Sequence, residues 1–395
     1  MINSVQPRLF DWMVQIRRDL HQHPELGWQE TRTAEKIESA LEHLGLEPRR
    51  VRDTGVVADL AGPKGVPMVA LRADIDALPI QEETGLPYAS VNDGVMHACG
   101  HDAHAGMVLG AAALLVEDGE LPAPVRLIFQ PAEEMGAGAA ALVEEGVLDG
   151  VGAIFGGHVD RHYPTGTLVI ADGIVNATTD EFRIVITGQE AHAAKPHEAV
   201  DAVVVGSLIV MAIQTIVSRE IDPAHPSVVT VGRFDAGSAH NVIAGQAVMA
   251  GTIRAHEPEV RGHLRTSLRR VCDSVAQLHR AHIALSFEQG TPALINESDM
   301  ADLARQAGAT VVGAEHVRSR VRGANMGGED FSWYLPHAPG CYIRLGARLE
   351  GREGFPAHSS RFEFDERVLA VGAAWFREIA HVAGRSIQSG GVATG

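Results

Sequence analysis

The segment His97-Ala-Cys99-Gly-His101-Asp102-Ala-His104 packs one thiol, three imidazoles and a carboxylate into eight residues, directly after the turn-rich stretch Ser90-Val-Asn-Asp-Gly94. A thiolate and a neutral imidazole two residues apart can face one ion from a loop, and Cys, His and carboxylate together suit zinc or a neighbouring divalent metal. One such segment supplies too few ligands for a closed site. Further candidates follow short apolar runs: Arg72-Ala-Asp74-Ile-Asp76 after Met68-Val-Ala-Leu71, Gln130-Pro-Ala-Glu133-Glu134 after Val125-Arg-Leu-Ile-Phe129, and Gly156-Gly-His158 after Val151-Gly-Ala-Ile-Phe155. A single acidic residue in such a place is usually a helix cap or a solvated loop charge. Agreement of several strand ends points to a site.

The elements that must position these groups read as alternating strands and helices. Leu9, Met13, Ile16 and Leu20, then Ala34, Ile37, Leu41 and Leu44, recur at helical spacing on either side of the Pro24-Glu-Leu-Gly27 break. The apolar runs 56–60, 67–71 and 125–129 read as buried strands, with a small-residue helix over 105–116 between them. Such alternation indicates an α/β sheet covered on both faces, whose chemistry collects beyond the carboxyl ends of the strands. The middle of the chain differs. Strand 181–187, helix 202–217, strands 227–231 and 247–254, helix 258–278 and strand 282–287 follow the order of a ferredoxin-like domain. The expected organisation is therefore a first catalytic part over 1–177, an inserted α+β domain over 178–291, and a second catalytic part over 292–395. The polar, glycine-rich stretch from Gly384 to Gly395 reads as a mobile tail.

With 395 residues, 45% of them hydrophobic, the chain can bury a large core. A net charge of −17 argues against nucleic acid or an anionic membrane as partner. The first residues lack the apolar centre of a signal peptide, and no uninterrupted apolar run reaches spanning length. The three cysteines Cys99, Cys272 and Cys341 fit a reducing compartment, so the expected location is cytoplasmic.

Seven motifs in order, His21-Gln-His-Pro-Glu-Leu-Gly27, Arg72-Ala-Asp-Ile-Asp-Ala-Leu-Pro79, His97–His104, Gln130–Glu134, Gly188-Gln-Glu-Ala-His-Ala-Ala-Lys-Pro-His197, Gly327-Gly-Glu-Asp-Phe331 and Ala357-His358-Ser359, carry a resemblance over nearly the whole chain. The sequence resembles the bimetallic aminoacylase and carboxypeptidase superfamily of metallopeptidases. It is most similar to the amidohydrolase branch of hippurate hydrolases, auxin–amino-acid conjugate hydrolases and N-acyl-amino-acid amidohydrolases.

The resemblance implies a di-zinc-peptidase-like α/β/α catalytic domain with a mainly parallel sheet, and an inserted domain that dimerises. It implies two divalent metal ions per subunit, with Cys99, His101, Glu134, His158 and His358 as ligands and Glu133 as general base. A hydroxide between two cations is a strong nucleophile at neutral pH, which suits that set. Zinc or manganese is expected, and cobalt or nickel also fits the donors. By the same resemblance His192 reaches a partner subunit's site to polarise the scissile carbonyl, and Asn241 and Arg254 contact the substrate carboxylate. Asp76 and Asp102 stand as alternatives for the carboxylate that orients a ligand histidine, and His97 and His104 either position neighbours or touch metal. The glycine-rich Gly323–Phe331 lacks the lysine and spacing of a nucleotide loop, and relatives use it as an active-site wall. Asp160-Arg-His-Tyr163 reads as a loop beside His158 that either shapes the acyl pocket or is solvated. The expected protein is a homodimeric, or dimer-based, hydrolase of small N-acyl amino acids. A dipeptidase or carboxypeptidase on the same machinery is the rival.

Overall fold

The computed structural model describes residues 5–320, 323, 325–352 and 354–390. The chain forms two compact units: Met1–Val175 with Ile295–Arg322 and Asp330–Gly395, and Asn176–Leu294 with Gly323–Glu329.

The first unit is α/β. Four strands, Val125–Gln130, Met68–Asp74, Val151–Pro164 and Gly340–Arg348, lie side by side in that order and run parallel. Gly55–Leu60 adds antiparallel to Val125–Gln130, with Arg49–Val51 outside it, and the short strands Leu168–Val169 and Val317–Arg318 close the other edge. Every residue of Val125–Gln130 is buried, as are the last six of Met68–Asp74. Unbroken burial of this kind requires cover on both faces, as parallel sheets have. Leu71 and Phe129 are fully buried, each worth about 1.5–3 kcal/mol relative to exposure.

The helix His101–Asp118 has no polar face and is buried along nearly its whole length. Its small residues allow close neighbours: a Cβ on Gly110 would stand 2.1 Å from Met13 Sδ of the helix Pro7–Gln22. The last helix, Val368–Gln388, packs on it as well. That helix runs through Gly384–Gln388, so these residues are not the tail expected from Gly384, because Ile387 is still buried in the core. Residues 391–395 of the expected tail lie outside the described residues.

The second unit has its own core. Its sheet has the order Ser227–Ala236, Gln246–Ala255, Thr178–Thr187, His282–Gln289, all antiparallel, with the helices Ala202–Glu220 and Pro258–His279 in the strand–helix–strand–strand–helix–strand order of a ferredoxin-like fold. The segment Gly323–Glu329, which the sequence reading leaves with the second catalytic part, packs here because Arg254, His256 and Asn176 donate to the carbonyls of Met326, Asn325, Gly327 and Gly328. Among the described residues, Ala202–Glu220 is the one helix long and apolar enough to cross a membrane by length and composition, a property its broken apolar run hides in the sequence. Val205, Ile209, Ile213 and Ile216 of that helix are buried in the unit's core.

Candidate metal centre

Gly100 precedes the helix His101–Asp118 in the left-handed region, at φ +101°, and a Cβ there would stand 2.5 Å from Val159 Cγ2. Glycine alone makes this turn cheaply, and it lets Cys99 before it and His101 after it converge. Cys99, His101 and His158 bring ligand atoms within 4.8 Å of one another, as do Cys99, Glu134 and His358, and His101, Glu133 and Glu134. The first two groups share the Cys99 sulfur. Cys99 Sγ lies 3.2 Å from His158 Nε2, and His358 Nε2 lies 3.3 Å from Glu134 Oε1. His101 Nε2 is 3.9 Å from both Glu133 Oε2 and Glu134 Oε1.

These donors fit divalent ions. Bonds of about 2.0–2.3 Å place neighbouring ligand atoms of a tetrahedral ion about 3.3–3.8 Å apart. His101 Nε2 is buried and, among the described residues, has no hydrogen-bond partner, so its lone pair is open to an ion. The histidines are oriented for it. His101 Nδ1 donates to Asp76, 2.9 Å to the backbone O and 3.1 Å to Oδ1, and His158 Nδ1 donates to Val159 O at 2.7 Å. Each ring thereby leaves Nε2 as its bare acceptor.

The electrostatics ask for positive charge. Burial works against a charged His101, yet Asp74, Asp76 and Cys99 outweigh it and raise its pKa well above the usual value. Glu134 is held ionised against its burial by His358 and His101. His158 is pushed the other way, by burial and by the neighbouring His104 and Arg344, which keeps its ring neutral. Burial likewise pushes the Cys99 thiol up, a proton that a cation bound there would displace.

Two adjacent carboxylates in extended backbone point to opposite sides, so the chain after Phe129 has to bend for both to serve. The bend is at Ala132, whose φ is +53°, followed by a tight turn in which Gly136 N–H donates to Glu133 O at 2.7 Å. Pro131 only precedes it. The left-handed alanine costs about 1–2 kcal/mol. Glu30, fully buried, accepts the Ala132 N–H at 2.8 Å, and Asp76 Oδ2 accepts the Glu134 N–H at 3.0 Å.

The structure brings Asp76, and not Asp102, against a candidate ligand. Asp102 turns to Arg17 Nε at 2.7 Å and His21 Nδ1 at 2.9 Å. His104 joins a further group with Asp74 and His101, but both its nitrogens are engaged: Nδ1 bonds Asp74 Oδ1 at 2.5 Å and Nε2 accepts the Val159 N–H at 3.0 Å, beside His158. His97 is neutral, its pKa pushed down to about 3 by burial, and it joins none of the ligand groups. Asp160–Tyr163 is not a loop. The strand Val151–Pro164 continues through it, paired with Gly340–Arg348 at Asp160 and Pro164 with an irregular register between them. His192, Asn241 and Arg254 lie in the second unit. His192 pairs with Val242 across a two-stranded ribbon, Ala193 N–H donates to Asn241 O at 3.2 Å, and His192 and Asn241 are exposed. Arg254 Nη1 donates to Met326 O at 3.0 Å.

Sequence reasoning missed Glu30 and the cluster under the strand ends. Arg72 donates to Gln130 at 2.8 Å, Asp74 at 2.6 Å and Asp330 at 2.8 Å, and Asp330 accepts the Ala139 N–H at 2.9 Å. An arginine inside a buried run was the available signal, since such a charge must be paired.

The sequence matches the family described as peptidase family M20/M25/M40 over residues 70–381. It is 40% identical over 379 residues to an N-acetylcysteine deacetylase of Bacillus subtilis, covering 95% of this chain and 98% of that one. It is 40% identical over 374 residues to thermostable carboxypeptidase 1 of Saccharolobus solfataricus, covering 92% and 93%. The crystal structure of a dinuclear metal-binding M20 peptidase of Bacillus subtilis superposes with a TM-score of 0.83 at 37% identity, covering 96% of this chain and 99% of that one. With the fold, the paired ligand groups and these matches together, the chain belongs to peptidase family M20/M25/M40 and is a metal-dependent amidohydrolase.

Proposed function

We propose that the protein cleaves the amide bond of N-acyl amino acids, releasing a carboxylic acid and a free amino acid. The observation that carries this reading is the pair of ligand groups sharing Cys99, with Glu133 beside them, in a chain whose relative at 40% identity is an N-acetylcysteine deacetylase. Cys99, His101, Glu134, His158 and His358 would hold two divalent ions, zinc or manganese by donor type. Bound there, such ions supply a water that is nucleophilic at neutral pH and positive charge facing the developing oxyanion.

The chain's own groups do the rest. Glu133 takes a proton from the attacking water as the carbon–oxygen bond forms, and gives it to the departing amine nitrogen as the carbon–nitrogen bond breaks. His192 Nδ1 accepts the Ala194 N–H at 3.0 Å, which leaves Nε2–H as a donor for the substrate carbonyl oxygen. Among the described residues Arg254 donates through Nη1 to Met326 O, and its remaining N–H groups, with Asn241, suit the amino-acid carboxylate.

His192 acts in trans, in a homodimer formed through the second unit. The edge strand Ser227–Ala236 has one free side, and Val204, Leu208 and Met211 form an exposed apolar row on the adjoining helix. Three unpaired cysteines suit the cytoplasm.

The carboxypeptidase relative favours one second reading, hydrolysis of short peptides. A matched panel of N-acetyl, N-benzoyl and free dipeptide substrates decides between them, using metal-stripped protein with and without added zinc or manganese. Metal-restored cleavage of the acylated set alone is the expected result. Preference for free dipeptides gives the function to the second reading.

A further inference from the structure

We propose that Glu30 is the positioning residue for Glu133, an assignment that rests on Glu133 being the general base. Glu133 sits between two backbone N–H groups that are each held by a different buried carboxylate. On its carboxyl side the Glu134 N–H goes to Asp76, which also orients His101. On its amino side the Ala132 N–H goes to Glu30 Oε1. The two anchors therefore divide the turn: Asp76 serves the ligands Glu134 and His101, and Glu30 serves the left-handed residue whose ψ sets the direction of Glu133.

Glu30 does not come from the sheet. It lies just before the helix Thr31–His43, at the end of the segment Glu25–Glu30, and reaches the turn through its side chain. That segment is fixed to the strand end carrying Asp76, since Ala77 N–H donates to Glu25 O at 2.8 Å and Leu26 bridges to Ala77. Glu25 is itself held by the Arg32 and Thr33 N–H groups. Gly27 makes the close approach: a Cβ there would lie 3.2 Å from Ala132 Cα and 3.0 Å from Met135 Sδ. Ala132 is thus pressed from below by Gly27 and held by Glu30, at zero exposure for both Ala132 and Glu30. Without the acceptor, a buried N–H is left unpaired in a backbone conformation alanine does not favour. The turn can recover only by rotating at Ala132, which swings Glu133 and leaves Glu134 tied to Asp76.

The test uses the metal-loaded full chain and four variants: Glu30→Met, which keeps the volume and loses the acceptor; Glu30→Gln, which keeps an acceptor; Asp76→Asn; and Glu133→Gln. Steady-state kinetics on an N-acetyl amino acid are measured beside metal content per subunit. A displacement of about 1 Å at a catalytic group can cost ~10²-fold, so Glu30→Met is expected to lower kcat by that order with KM and metal content unchanged. Glu30→Gln is expected to recover most of the loss, and Asp76→Asn to lower metal content. If Glu30→Met fails to fold, Gly27→Ala, which pushes on the same Ala132, is expected to give the same loss confined to kcat. The proposal is overturned if Glu30→Met, or Gly27→Ala in its place, keeps full kcat or loses metal in proportion to activity, or if Glu30→Gln is as impaired as Glu30→Met. A fully active Glu133→Gln would instead overturn the general-base reading, so the two failures are distinguishable.

Discussion

The two units of this chain treat their functional polar groups in opposite ways. In the first, three of the five candidate ligands are finished by the interior: His101 by Asp76, His158 by the Val159 carbonyl and Glu134 by Asp76, with His104, held by Asp74, taking the Val159 N–H, while His358 stays exposed beside Glu134. Beneath them Arg72 and Asp102 are fully buried charges with paired partners. Breaking such a pair leaves an uncompensated charge and costs about 3–5 kcal/mol, so this frame is stiff. In the second unit His192 and Asn241 are exposed on a two-stranded ribbon whose contacts are local. The groups proposed for metal and proton chemistry thus lie mostly in a folded interior, whereas the group proposed to polarise the carbonyl lies exposed on the second unit's surface.

Changing the general base should cost most. Glu133→Ala is expected to lower kcat by up to about 10⁴-fold, with metal content retained because Glu134 and the histidines keep their own supports; single-turnover kinetics beside metal analysis checks both. Loss of metal from this variant would mean the interior frame is less independent than its hydrogen bonds indicate. Next comes His192→Ala, expected to cost about 10²–10³-fold in kcat, the value of one oxyanion donor, with no change in melting temperature. Mixing inactive Glu133→Ala with His192→Ala under subunit exchange should restore activity, since one mixed site then holds both groups. Mixtures that stay inactive would place His192 in cis.

How much of this was legible in the sequence follows from the same contrast. Ligand candidates at strand ends could be read because parallel strands are apolar runs that stop abruptly at polar residues, as at Asp74 and Gln130. His158 shows the limit: the strand continues past the polar residues that follow it, as far as Pro164. The choice between Asp76 and Asp102 needed coordinates, because both lie near His101 in sequence or along a motif and only direction separates them. The bend at Ala132 was illegible because alanine signals no left-handed turn. Glu30 was illegible because an acid just before a helix reads as a cap, and here it makes no cap hydrogen bond. The second unit's fold was plain from its alternating periods, but the exposed role of His192 comes only from resemblance.

The stiffness of the interior has a signature in pH. Burial raises the pKa of Glu30 to about 7, so the folded state keeps a proton that the unfolded chain loses near its ordinary value. Between about pH 4.5 and 7 the folded state therefore binds more protons, and stability falls as pH rises, by about 1.4 kcal/mol per unit at most. Below that window the carboxyl is protonated in both states and the cost vanishes. Glu30→Gln, which has no charge to bury, should gain stability over the parent as pH rises from 5 to 7 and hold that gain above it. Denaturant titrations at each pH measure the difference. A flat difference would mean that Glu30 is better solvated than its zero exposure indicates.

The smallest effect is expected from the exposed apolar row, and it tests what the second unit waits for. Met211 is 70% exposed, and a surface residue of this kind should change folding stability by no more than about 0.5 kcal/mol when replaced. Met211→Asp puts a charge at one end of the row with Val204 and Leu208, so any assembly through that face must bury it without a partner. Sedimentation should show the dimer weakened while melting temperature and metal content stay as they were. Specific activity should then depend on protein concentration, full where the dimer persists and falling as it dissociates, because each interior site loses the His192 of its neighbour. If the chain becomes monomeric with undiminished activity at every dilution, the second unit's surface serves its own site, and the division between a finished interior and a borrowed surface group fails.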